Sequence, residues 1–148
     1  METGINEDFI QTMKTMFALK EADVNMYSPL NLAYIGDGVY DLIIRSKVLN
    51  EGNVQVNKIH KKVSSLVKAE TQSAMIKVIE ELLDEKELAI YKRGRNAKSF
   101  TSAKNASIND YRRATGFEAL VGYLFLEGQY ERMLTLIKSG LEGIGKLS

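Results

Sequence analysis

The stretch from Leu32 to Leu42, reading Leu-Ala-Tyr-Ile-Gly-Asp-Gly-Val-Tyr-Asp-Leu, constrains this chain more than any other. It has the character of a buried helix, yet it carries two carboxylates, Asp37 and Asp41. Residues four apart stack on one face of a helix, about one turn from each other. An unpaired carboxylate in apolar surroundings costs several kcal/mol, so such a pair finds a cation, a hydrogen-bond network or water. A second place of this kind is Gly116-Phe117-Glu118-Ala119-Leu120-Val121-Gly122, where Glu118 stands at the head of an apolar run. Two acidic intrusions into two apolar helices point to a shared divalent-metal site.

Almost every other segment has helical period, and none sustains the alternation of a strand. Phe9, Ile10, Met13, Met16 and Phe17 mark one face of a first helix. Ser28 followed by Pro29 is an N-cap with proline at the first helical position, opening a long helix that runs to about Leu49. Ile59, Val63, Leu66 and Val67 give a third helix, and Ala74, Met75, Val78, Ile79, Leu82 and Leu83 a fourth. Asp84 to Tyr91 reads as a short fifth helix stopped at Gly94. Arg95 to Ile108 is rich in Ala, Ser, Asn and Lys and reads as a loop. Asn109 or Asp110 can cap the next helix, which buries Phe117, Leu120, Val121, Leu124 and Phe125. Gly128 closes it, and Glu131 to about Ile144 makes the last. The expected fold is all-α, about seven helices in a single domain, and the Met and Phe stripes read as core.

At 148 residues the chain is long enough for a sizeable core. It has no cysteine, which excludes disulfides and thiolate metal sites and fits a reducing compartment. No signal peptide is visible at the acidic start, and no apolar run approaches the roughly 20 residues of a membrane span. A soluble, cytoplasmic protein is expected. Its formal net charge of +1 hides segregation. Between Tyr91 and Arg113 stand seven basic residues, Lys92, Arg93, Arg95, Lys98, Lys104, Arg112 and Arg113, against one acid, Asp110. Such a cluster suits a polyanion, or is simply a solvated loop.

The two acidic segments carry a resemblance. Leu32 to Asp41 resembles the signature helix of ribonuclease III catalytic domains, and Phe117 to Gly122 resembles their second conserved helix. The order of the two, the roughly eighty residues between Asp37 and Glu118, the basic loop and the helix count agree with that family over about residues 25–145. The nearest form is Mini-ribonuclease III, which consists of the catalytic domain alone, without a double-stranded-RNA-binding domain.

The resemblance implies Mg²⁺-dependent hydrolysis of double-stranded RNA, with Mn²⁺ as a possible substitute. Asp37 and Glu118 match the family's metal-holding, catalytic acids. The family also has a glutamate four residues before the signature aspartate and an aspartate three residues before the second-helix glutamate. Here those positions are Ala33 and Thr115. Asp41 is then a candidate to compensate, directly or through water, and a one-metal or more hydrated site is expected. Arg93, Arg95, Asn96, Lys98, Lys104, Arg112 and Arg113 are the expected RNA contacts, with Ser102 and Asn105 placed to reach 2′-hydroxyls. His60, in a cationic helix face, reads as a surface residue. The resemblance further implies a homodimer paired through the signature helices, precursor 23S ribosomal RNA as substrate, and a ribosomal protein as helper. Two other readings stay open. One is a non-catalytic RNA-binding or ribosome-associated protein on a decayed nuclease domain. The other is a helical protein-interaction module, which explains the apolar helices but neither the acidic intrusions nor the basic loop.

Overall fold

Ser28 caps the long helix as its sequence predicts, its hydroxyl accepting from the Asn31 N–H at 3.1 Å, with Pro29 in the first turn. In the computed structural model, which describes residues 5–98 and 107–147, that helix is the second of seven. They are α1 (Ile5–Met16), α2 (Pro29–Glu51), α3 (Val56–Val67), α4 (Ala69–Ile79), α5 (Glu85–Asn96), α6 (Ile108–Leu126) and α7 (Tyr130–Gly143). No strand occurs among the described residues, and none of their helices is long and apolar enough to cross a membrane.

The centre of the molecule is α6, which packs against α2, α4, α5 and α7. From Ala114 to Leu124 every residue except Glu118 is buried. A helix surrounded in this way is apolar all round, so its lone partly exposed carboxylate stands out. Tyr40 of α2 ties this core to the next layer. Its ring meets Phe117 edge-on at 5.3 Å, a geometry contributing about 0.5–1.5 kcal/mol beyond burial. Its hydroxyl donates to the Leu66 carbonyl at 2.8 Å.

The N-terminus of α5 has a capping box, in which the Asp84 side chain accepts from the Glu87 N–H and the Glu87 side chain accepts from the Asp84 N–H. The same Glu87 carboxylate, buried, takes two bonds from Arg132 of α7 at 2.9 and 2.8 Å. Arg132 also donates to the Leu82 carbonyl, so the start of α5 is fastened to α7.

Four sequence expectations are corrected. Gly94 does not stop α5, which continues to Asn96, because this glycine is a packing position. Arg95, Asn96 and Ile108 are therefore helical, not loop. Ser107, and neither Asn109 nor Asp110, caps α6 by accepting from the Asp110 N–H at 3.0 Å. The stripe on α1 is not core: Phe9, Met16 and Phe17 are exposed, and Ile10 and Met13 face the body across a cavity of about 570 Å³ that Phe125, Leu126 and Tyr130 also line. Helical period specifies that a face is apolar, but not what covers it. The turn at Gly128, with φ of +74°, closes α6 as its sequence predicts.

Candidate functional site

Two glycines decide how the acidic segments meet. A Cβ on Gly36 would lie 1.8 Å from the Glu118 carbonyl oxygen and 2.8 Å from the Gly122 nitrogen. A Cβ on Gly122 would lie 2.0 Å from the Leu32 carbonyl oxygen. Helices α2 and α6 thus touch backbone to backbone, and only glycine at both positions permits the approach. Asp37 follows Gly36 directly, and Glu118 is the residue whose backbone Gly36 touches. Their side chains stand close enough beside the crossing for the charge of one to act on the other. Burial, then the neighbouring Asp37 charge, push the Glu118 carboxyl up to about 8. Such a pair holds a proton unless a cation replaces it.

The third group at this centre is Gln72 of α4, which the sequence reading does not single out. It is 1% exposed, and its Nε2 donates to Glu118 Oε2 at 3.2 Å and to the Val67 carbonyl at 2.8 Å. Its Oε1 is buried and without a hydrogen-bond partner. The signal that could have found it is the polar run Thr71-Gln72-Ser73, all three buried in a helix that otherwise turns apolar residues inward.

The positions where the family pattern has further acids are closed. Ala33 is buried, and the Thr115 hydroxyl, also buried, donates to the Tyr111 carbonyl at 3.0 Å. Asp41 is drawn to Arg45 Nε at 2.8 Å, one turn along α2 and at the surface, instead of to Glu118. Among the described residues no group of three or more acidic, histidine or cysteine side chains gathers. The candidate ligands are therefore two carboxylates, one of them held by a buried amide. That set fits a hard divalent cation that keeps several waters, and the raised proton affinity of Glu118 marks where positive charge is wanted.

The expected RNA contacts fall into two groups. Arg95, Asn96, Arg112 and Arg113, together with Asn109, line one cavity of about 250 Å³ between the end of α5 and the start of α6. A second glycine contact makes it: a Cβ on Gly94 would lie 2.8 Å from Ala119 Cβ and 2.9 Å from Gly116 Cα. Arg95 stacks 5.6 Å above the Tyr91 ring, and Arg113 stands 3.8 Å from Asp110. Arg93 and Lys98 are exposed and line no part of this cavity. Lys104, Ser102 and Asn105 lie outside the described residues. His60 is exposed, within 3.4 Å of the Ser64 hydroxyl, as a surface histidine would be.

Comparison with known proteins identifies the family. The Ribonuclease III domain family matches residues 30–129. Mini-ribonuclease 3 of Clostridium tetani is 50% identical over 117 residues, 78% of this chain and 78% of its own length. Mini-ribonuclease 3 of a Thermoanaerobacter species is 45% identical over 126 residues, 85% of this chain and 89% of its own. A protein of Fusobacterium nucleatum, solved by X-ray crystallography, superimposes with a TM-score of 0.74 at 32% identity, over 83% of this chain and 98% of that one. The match spans both acidic helices, and this chain belongs to the ribonuclease III domain family.

Proposed function

We propose that this chain cuts double-stranded RNA in an Mg²⁺-dependent reaction, as a cytoplasmic homodimer, and that its substrate is the precursor of 23S ribosomal RNA. That it is an endoribonuclease follows from its family. The observation that carries the finer reading is the meeting of Asp37 and Glu118 at a glycine-locked helix crossing. In this reading the two carboxylates hold the cation. A bound Mg²⁺ supplies a water of lowered pKa and neutralises charge that builds on the phosphate in the transition state. The protein's own work is to fix the two carboxylates, and to present phosphates to them from the basic ends of α5 and α6. A-form RNA offers phosphates and 2′-hydroxyls across a shallow minor groove, which suits the arginines and asparagines there.

A homodimer is supported by an exposed apolar stripe on α2. Leu30, Tyr34, Leu42 and Leu49 are all exposed, Tyr34 at 82%, and Gly38 lies open between them. An exposed apolar stripe of this kind suits pairing with a second copy about a two-fold axis. The choice of 23S precursor RNA, and of a ribosomal protein that presents it, rests on the family resemblance.

The closed positions Ala33 and Thr115 favour one other reading, a domain that binds RNA without cutting it. One assay separates the two. Purified protein should cleave a structured duplex in Mg²⁺, and more slowly or not at all in its absence. Asp37→Asn and Glu118→Gln should each lower cleavage by at least about a thousandfold, equivalent to about 4 kcal/mol of barrier, while duplex binding in Ca²⁺ is retained. Cleavage by either variant at the wild-type rate would sink the assignment of the site.

A further inference from the structure

Gln72 reaches the centre from a helix that neither acidic segment predicts, and it is spent in an unusual way. Both its N–H groups are used, one on Glu118 Oε2 at 3.2 Å and one on the Val67 carbonyl at 2.8 Å, whereas its carbonyl oxygen is buried and unpaired. An unpaired buried acceptor is destabilising, and an apolar side chain of the same shape would avoid that. The bond to the Val67 carbonyl anchors the amide to the α3–α4 junction, so the N–H aimed at Glu118 is held from a third helix. A glutamate in this place would repel Glu118, and a leucine would leave it to turn. The neutral amide restrains the carboxylate without adding charge.

We propose that Gln72 is a positioning residue of the metal centre: its Nε2, anchored on the Val67 carbonyl, fixes the orientation of the Glu118 carboxylate. The inference rests on the metal-site reading above. It also accounts for how a centre with alanine and threonine at two of the family's acidic positions can remain ordered: a buried amide from α4 supplies orientation where those carboxylates would have supplied charge. Partners that orient metal-holding side chains typically contribute 10–100-fold in metal affinity or activity.

The test compares Gln72→Met, which keeps length and volume but removes both donors and the acceptor, with Glu118→Gln. Binding of Mn²⁺ alone to the RNA-free protein is measured by calorimetry, together with kcat and KM on a duplex substrate and the thermal midpoint. Gln72→Met should weaken Mn²⁺ binding by about tenfold or more and lower kcat, with KM for the duplex unchanged. A filler role would move the thermal midpoint and leave Mn²⁺ affinity as in the wild type, and that result overturns the proposal. If Glu118→Gln also binds Mn²⁺ like the wild type, the metal-site reading itself fails. Should Gln72→Met not fold, the wild-type protein decides. Its Gln72 side-chain amide resonance should shift on Mg²⁺ addition with the midpoint of Mg²⁺ binding, while those of Gln11, Gln55 and Gln129 stay in place; an unmoved Gln72 amide overturns the proposal.

Discussion

Glu118 and the arginines Arg112 and Arg113 share one helix but live in opposite surroundings. Around Glu118, α6 is buried on every side and meets α2 with no side chain between the two backbones. At the basic end, Arg112 is exposed, Arg113 and Arg95 half-buried, and the arginines lean on Tyr91 and Asp110 over an open cavity. Under the proposed function, the contrast follows what each task would demand. Holding a small cation between two carboxylates tolerates errors of a few tenths of an ångström, so its geometry is set by backbone contact. Attracting a polyanion works over a Debye length of about 8–10 Å, so flexible side chains suffice.

Substitution at the crossing should break this contrast most sharply. Gly36→Ala puts a methyl group 1.8 Å from the Glu118 carbonyl oxygen, and forcing the helices apart should cost about 3 kcal/mol or more. Gly38→Ala, two residues on, meets nothing within 4 Å of its own chain and should cost far less than Gly36→Ala. Urea denaturation measures both; equal stability of the two variants would mean that the crossing is not locked. At the basic end, replacing Arg93, Arg95 and Lys98 together with Ala should leave the fold intact and weaken duplex binding. The slope of log affinity against log salt should flatten by roughly two to three, at about 0.9 per phosphate contact. An unchanged slope, measured in Ca²⁺, would place the RNA surface elsewhere.

A third outcome concerns pH. Glu118 ionises at about 8 in the native state, against 4.5 ordinarily. Between those values the native protein holds a proton that the unfolded chain has released. Its contribution to stability is therefore complete below about 4.5 and is lost as pH rises through about 8. The metal-free protein should weaken across that window, Glu118→Gln should flatten the decline, and Mg²⁺ should offset it by favouring the ionised form. Denaturation midpoints from pH 4 to 9 check this, and a decline unaltered in the variant assigns it to another group. The smallest effect is expected at Asp41. Its carboxylate is engaged by the exposed Arg45, a surface pair that contributes about 0–1 kcal/mol to stability, so Asp41→Asn should lower cleavage far less than Asp37→Asn. A comparable loss would restore Asp41 to the metal centre.

The helices and the central acids were legible in the sequence because periodicity and a polar intrusion into an apolar run are local patterns. Ser28-Pro29 and Gly128 likewise announce helix ends by local chemistry. What was not legible depends on contacts between distant segments. Gly94 looks like a helix stop and is a packing residue, because its neighbour is Gly116, beyond the basic segment. Gln72 is an ordinary polar residue until α4 brings it to Glu118, 46 positions along the chain. The apolar face of α1 carries the same signal as a core helix, and only the fold shows that most of it stays uncovered.

The contact of Gly36 with the Glu118 backbone has one more consequence. Two helices separated by nothing but their main chains cannot come closer, so the spacing of Asp37 and Glu118 rests against a hard stop. Change at the crossing is therefore one-sided: any side chain added at position 36 or 122 widens the gap, and none narrows it. Drift in the sequence can loosen the grip of the two carboxylates but cannot tighten it, so any tuning of the centre has to come from residues that approach it from outside the crossing.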